Sequence, residues 1–197
     1  GVLWHYSGPE EKLAETLAPV RAFRKPAFEA IGRMPHPVVQ SMFDPLYTKG
    51  MQQYWRGDFF TELSDGAVEA FVEHGSQVPT VSSTIHLYPI DGAAHRIGNA
   101  DTAFSYRHAN WSSVIVGVDA DPANNDLLIS WVRNTFDAAH PYSAGGAYVN
   151  FMMDEGQERV RATYGQNYER LAAIKAKYDP GNLFRVNQNI RPAAAKA

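Results

Sequence analysis

The run Thr80-Val81-Ser82-Ser83-Thr84-Ile85-His86-Leu87-Tyr88, followed after two turn pairs by Ser112-Ser113-Val114-Ile115-Val116-Gly117-Val118, decides the fold. Before it, apolar residues recur at helical spacing. Within it, β-branched and aromatic residues dominate and the period falls to two. Asp91-Gly92 and Gly98-Asn99 supply turns, so residues 80–88, 93–97, 102–108 and 112–118 read as short strands joined by short links. Such links predict an antiparallel sheet.

Outward from that sheet the pattern is helical. Leu13, Leu17, Val20 and Phe23 form a stripe on a helix over about residues 9–24, with Ser7 as cap and Glu10 at the capping-box position. Pro26, Pro35, Pro37 and Pro45 break the next stretch into turns, whose Phe28, Phe43, Tyr47, Tyr54 and Trp55 are expected to dock on the core. Ser64-Asp65-Gly66 opens a helix with Val68, Phe71 and Val72 inward and Gly75 as C-cap. Asp121-Pro122 opens another, with Leu127, Leu128, Trp131, Val132 and Phe136 inward. A strand over 147–153 and a last helix over about 157–177 complete the chain. The expected fold is α+β, one domain over residues 1–197, with helices on one sheet face and the other face free to line a pocket.

Composition narrows the function. A net charge of −3, with scattered basic residues, offers no field for a phosphate backbone, so nucleic acid is not expected as a partner. No run reaches the roughly 20 apolar residues that span a bilayer, and the start carries no signal-peptide pattern. No membrane partner is expected, and localisation is not legible. With no cysteine, thiolate metal sites, disulfides and cysteine nucleophiles are excluded. The seven histidines contain no pair at zinc-helix spacing, and no Gly-x-Gly-x-x-Gly or phosphate loop occurs. No metal is expected.

Two further motifs remain. They are Tyr148-Val149-Asn150-Phe151 and the closing run Tyr178-Asp179-Pro180-Gly181-Asn182-Leu183-Phe184-Arg185-Val186-Asn187-Gln188-Asn189-Ile190. In this order, over residues 146–192, they resemble the carboxy-terminal segment of the berberine-bridge-enzyme-like family of FAD-linked oxidoreductases. The resemblance implies an antiparallel sheet whose open face covers a flavin. It also implies that FAD is held mainly by an amino-terminal domain not contained in this chain.

Residue by residue, the resemblance places a catalytic tyrosine where this chain has Phe151, a side chain with no ionisable proton. Period two sets Phe151 on one strand face and Tyr148 and Asn150 on the other, so these two are expected toward the helices or the flavin side. Leu87 to Ile97 resembles the hairpin that approaches the flavin, with His95 at the position of a catalytic glutamate and Tyr88 as the next pocket-facing candidate. His95 and Tyr88 are therefore the expected catalytic residues. Asn187 and Asn189 are expected at the flavin's polar edge, with Tyr148 and Asn150 also toward the cofactor, and Phe151 and Trp55 lining the substrate pocket. Arg107 is expected to tie its strand to a carboxylate. His86 and His108 carry no assigned role.

The resulting expectation is the substrate-binding portion of an FAD-dependent oxidase of alcohols, sugars or related CH–OH carbons. It is inactive without the FAD-binding domain or subunit and does not retain FAD alone. A stand-alone binding or assembly module, self-associating through its exposed sheet face, is the alternative.

Overall fold

A computed structural model of the chain describes residues 1–46 and 48–194. Its elements are α1 (Leu13–Phe23), α2 (His36–Ser41), β1 (Gln52–Arg56), β2 (Phe59–Phe60), α3 (Asp65–Gly75), β3 (Thr84–Pro89), β4 (Trp111–Asp119), α4 (Asn125–Ala139), α5 (Gly156–Tyr164) and α6 (Tyr168–Tyr178). They fall into two units, Gly1–Pro45 and Leu46–Ala197.

In the first unit a 3-10 turn, Glu10–Lys12, leads into α1. Its N-cap is Pro9, without a side-chain bond, so Ser7 is not the cap. Of the expected stripe only Leu17 is buried, while Phe23 and Phe28 stand 90% and 84% exposed. Phe28 does not dock on a core. Tyr47 lies outside the described residues.

The second unit is built around β4. It pairs antiparallel with β1 and then β2 along one edge, and with β3 along the other. Residues 112–118 are all buried because both faces are covered. Ile115 packs with Phe60, Ala67, Phe71, Trp131, Val132 and Phe136, which brings α3 and α4 onto one face. Val114, Val116 and Val118 point to the other face, where Met51, Trp55 and Phe151 cover them. The fold is α+β with an antiparallel sheet, as the period change predicts.

Several local expectations give way. Residues 93–97 and 102–108 form no strands. They fold as turns closed by local bonds, Ala94 N–H to Asp91 O, Asp101 N–H to Gly98 O and Ala109 N–H to Tyr106 O. β1 was read as turn sequence, yet its residues pair with 115–119 of β4. In α3 the Ser64 hydroxyl caps Ala67 N–H as expected, but the buried face is Ala67, Ala70 and Phe71. Val68 and Val72 are exposed, because the alanines allow the closer approach to the core. Gly75 ends α3 inside the helix and Ser76, not a left-handed glycine, is the C-cap. In α4 Leu127 is exposed while Leu128, Trp131, Val132 and Phe136 are buried.

The expected last helix is broken at Gly165, whose φ of 50° and ψ of −131° suit glycine. The two pieces, α5 and α6, enclose a separate cluster of Ala147, Met152, Val160, Tyr168 and Ala172. The expected strand over 147–153 is instead a 3-10 turn, Val149–Phe151. Its backbone donates locally, Phe151 N–H to Tyr148 O at 2.8 Å, rather than to a ladder.

Candidate functional site

The register of the sheet determines which side chains share the face away from α3 and α4. His86 lies opposite Val114, Thr84 and Trp55 lie opposite Val116, and Tyr88 lies opposite Ser112. Directly opposed residues point the same way, so β3 presents Thr84, His86 and Tyr88 beside Trp55 of β1. The 3-10 turn then lays Phe151 on this surface, its ring 5.6 Å from that of Tyr88 and 5.1 Å from that of Tyr148. Asn150 Nδ2 donates to Tyr148 Oη at 2.9 Å. His86 Nδ1 is 2.7 Å from Tyr88 Oη. Tyr88 and Tyr148 are 42% and 37% exposed. The result is a solvent-reachable aromatic cluster on a sheet face, carrying one imidazole–phenol pair.

The strand break between β1 and β2 makes room for it. A Cβ on Gly57 would lie 3.2 Å from Phe151 Cβ and 2.4 Å from Ser113 O. Next to Gly57, Asp58 is 2% exposed and turns to the opposite side. Its carboxylate accepts from His140 Nδ1 at 2.8 Å and from Arg159 Nη2. Arg159 also donates to Gly57 O at 2.7 Å and Gly145 O at 2.8 Å. Glu155 accepts from Arg56 at 3.0 Å, and the Arg56 guanidinium lies 3.7 Å from the Phe136 ring centre. Burial pushes the Asp58 carboxyl up from its ordinary value, against the opposing pull of Arg159 and His140. This network ties β1, α4 and α5 together beneath the cluster and holds the strand break in place.

The sequence-predicted residues are partly brought together. Trp55, Tyr88, Tyr148, Asn150 and Phe151 share one region. The expectation that Tyr148 and Asn150 turn away from Phe151 fails, because a 3-10 turn does not alternate faces and the Tyr148 and Phe151 rings meet edge to face. His95 sits in the 91–110 loop, its Nε2 bonded to Ala109 O at 2.9 Å. Among the described residues Arg107 pairs with no carboxylate; it donates to Ala94 O and to Thr102 Oγ1. His86 is the residue that sequence reading left without a role, although period two along β3 puts it on the same face as Tyr88. Burial lowers its pKa from the ordinary histidine value.

The closing run returns to the same neighbourhood. Asp179 accepts from Leu183 N–H at 2.7 Å, from Phe184 N–H at 3.0 Å and from Lys175 Nζ. These bonds hold its carboxyl below the usual value, the lysine bond contributing most. Asn182 and Asn187 take left-handed φ values of 50° and 65°, which asparagine tolerates. Gln188 Nε2 donates to Met152 O at 2.8 Å, and Gln157 Nε2 to Asn189 O at 3.1 Å. The segment is thereby fixed one residue beyond Phe151. Asn187 is exposed. Asn189 Oδ1 is buried without a hydrogen-bond partner among the described residues, as are Trp55 Nε1, Thr84 Oγ1 and Ser112 Oγ.

Among the described residues no acidic or histidine cluster fits a metal ion, and no helix is long and apolar enough to cross a membrane.

Comparisons with known proteins find relatives in sequence and in fold. Residues 147–191 match the family model "Berberine and berberine like". Over 95% of its length the chain is 25% identical to an FAD-linked oxidoreductase of Dictyostelium discoideum, covering 41% of that protein. It is 29% identical, over 73% of its length, to berberine bridge enzyme-like C-1 of Nicotiana tabacum, covering 30% of that protein. Among solved structures, aclacinomycin oxidoreductase shares the fold over 95% of this chain and 43% of its own, at a TM-score of 0.73 and 18% identity. Berberine bridge enzyme from Eschscholzia californica does so over 75% of this chain and 34% of its own, at 0.66 and 22%. The chain thus spans about two fifths or less of the length of these relatives. Residues 147–191 thus match a berberine-like family model, and the chain is similar to FAD-linked oxidoreductases, berberine-bridge-enzyme-like proteins among them.

Proposed function

We propose that this chain forms the substrate-binding part of an FAD-dependent oxidoreductase acting on an alcohol, sugar or related CH–OH carbon. The observation that carries the proposal is the exposed ring cluster of Tyr88, Tyr148 and Phe151 on the sheet face, next to the berberine-like segment. FAD, when bound, supplies the hydride acceptor. The chain's own residues bind and orient. Tyr88 Oη hydrogen-bonds the substrate hydroxyl and receives its proton. Phe151 and Trp55 give the pocket apolar walls and exclude water. His95, with Nε2 on Ala109 O, is the second candidate base.

Polar atoms of this chain fit the cofactor's edge. Asn189 carries an amide with a buried, unpartnered Oδ1 among the described residues, matched to a ring N–H. Asn187, Tyr148 and Asn150 add donors and acceptors. Leu183, Phe184 and Val186 stand 76%, 76% and 84% exposed. Covering such side chains contributes about 1.5–3 kcal/mol each, which supports docking of an FAD-binding domain or subunit there.

Purified chain mixed with FAD and dialysed is expected to keep no flavin absorbance. Joined to the flavin-binding portion of the same protein, it is expected to oxidise CH–OH substrates. Tight retention of flavin by the chain unaided would overturn the division of labour, and an active flavoprotein indifferent to Tyr88→Phe would overturn the site.

A further inference from the structure

His86 and Tyr88 are two residues apart on one strand, so their side chains emerge side by side on the same face. The bond between them, 2.7 Å from Nδ1 to Oη, is as short as a good O–H···N contact becomes. Its direction is a question of where the imidazole proton sits. The surroundings of His86 bear on its charge. Across the sheet it faces Val114, flanked on the same side by Val116 and Ser112. The 3-10 turn contributes Phe151 beside Tyr88, and no ion pair among the described residues involves His86. With no ion pair among the described residues to stabilise an imidazolium, and with burial favouring the uncharged ring, the neutral imidazole is favoured near pH 7. In its Nε2–H tautomer such a ring accepts the phenolic proton at Nδ1.

We propose that His86 is the positioning residue behind Tyr88: it fixes the phenol by accepting its hydrogen bond, and it takes the Tyr88 proton when Tyr88 takes one from a substrate hydroxyl. The inference rests on the oxidoreductase reading above. In the step, the substrate O–H breaks and an O–H forms on Tyr88 Oη, while the original Tyr88 O–H breaks and an N–H forms on His86 Nδ1. A bound flavin would accept the hydrogen of the substrate carbon with its electron pair, leaving a carbonyl. Tyr88 ends neutral and His86 ends as imidazolium. A phenol alone is a weak base in its neutral form, because its own proton must go somewhere; the adjacent Nδ1 supplies that place without requiring a phenolate in a half-buried apolar setting. Phe151, which cannot ionise, leaves this role to β3.

The bond is readable without any cofactor. Long-range ¹H–¹⁵N correlation on the uniformly labelled chain resolves each of the seven imidazoles, and the set lost in His86→Gln identifies His86. At pH 7.5 its Nδ1 is expected to be unprotonated and its Nε2 protonated. Tyr88→Phe is expected to shift the Nδ1 resonance. A proton on Nδ1 in the wild type, or no response to Tyr88→Phe, overturns the proposal. In the flavin-bearing protein, His86→Ala and Tyr88→Phe are each expected to lower kcat by about 10²- to 10³-fold, with the double variant no worse than the worse single one. The acid limb of the wild-type pH–rate profile is expected to vanish in His86→Gln, with KM little changed. Oxidation that keeps an unchanged acid limb in His86→Gln removes the relay alone. Absence of oxidation of any alcohol by flavin-bearing wild type removes the underlying reading and the relay with it.

Discussion

Replacing Gly57 by alanine tests whether the strand break places the aromatic cluster. The φ of Gly57 is one that any residue adopts, so backbone strain does not enter. The cost is steric. The new Cβ lies 2.4 Å from Ser113 O and 3.2 Å from Phe151 Cβ, whereas carbon and oxygen settle at roughly 3.2 Å or more. Ser113 cannot yield freely, because its N–H donates to Asp58 O at 2.8 Å while its Oγ accepts from Asp58 N–H at 3.2 Å. Gly57 itself is held by Arg159 through its carbonyl. Overpacking costs about 1–3 kcal/mol, and one weakened ladder bond adds roughly 1 kcal/mol. A total of about 2–4 kcal/mol lowers Tm by roughly 5–15 °C at this chain length. Thermal unfolding followed by far-UV circular dichroism measures the loss, and near-UV ellipticity reports the displaced Phe151, Tyr88 and Tyr148 rings. Gly75→Ala is the control. Its Cβ meets only Ile85 Cδ1 at an ordinary 3.6 Å, and alanine in a helix is expected to raise stability by about 0.4–1 kcal/mol. If Gly57→Ala melts with the wild type and keeps its near-UV spectrum, the argument that Gly57 makes room for Phe151 fails.

Asp58→Asn removes the negative partner of Arg159 and His140 in a site with Asp58 2% exposed, and is expected to destabilise by about 3–5 kcal/mol in urea titration. His86, depressed below its ordinary value of 6.5 by burial, binds fewer protons folded than unfolded as pH falls through that region. Stability is therefore present above pH 6.5 and lost below it toward the folded pKa, so the urea midpoint of the wild type is expected to fall more between pH 7.5 and pH 5 than that of His86→Gln. Gly165→Ala forces a side chain onto a φ of 50° with Ser105 Oγ 2.8 Å away, and is expected to cost about 1–3 kcal/mol by the same titration.

The sequence carried the long-range plan better than the local one. β4 was visible because Val114 to Val118 is apolar on both faces, and α4 because Leu128, Trp131, Val132 and Phe136 recur at helical spacing. β1 was hidden. Gln52, Gln53 and Arg56 look like surface turn residues, and only pairing with β4 makes them a strand. The reverse error occurred at 93–97 and 102–108, where alternation is present but Asp91, Gly98 and Asp101 bend the chain into local turns first. At the site, the family motif singles out Phe151 and Asn189 but not the local geometry around them. The aromatic run has the composition of a strand, but it folds as a 3-10 turn, which lacks the alternation of faces that period two implies. His86 needed no further data to be found: Thr84, His86 and Tyr88 alternate along a strand that starts four residues later than the period suggests, and His86 is a titratable neighbour of Tyr88 on that face.

The closing run shows why a motif can be legible while its physical role is not. Tyr178 to Phe184 reads as a signature of relatedness, yet the work of Asp179 is local. Its carboxylate gathers two backbone N–H groups and an ammonium, which turns the chain sharply after α6 and leaves Leu183 and Phe184 facing solvent. Pro180 cannot continue the helix, and Asn182 accepts the left-handed backbone that the turn requires. Only after that reversal does Gln188 reach Met152 O, bringing Asn189 beside the turn that carries Phe151. The local bonds of one aspartate thus help to set how far the terminal asparagines lie from the aromatic cluster. Substituting Asp179 by alanine is accordingly expected to alter the surroundings of Asn189 and Phe151 without changing any group in the cluster itself.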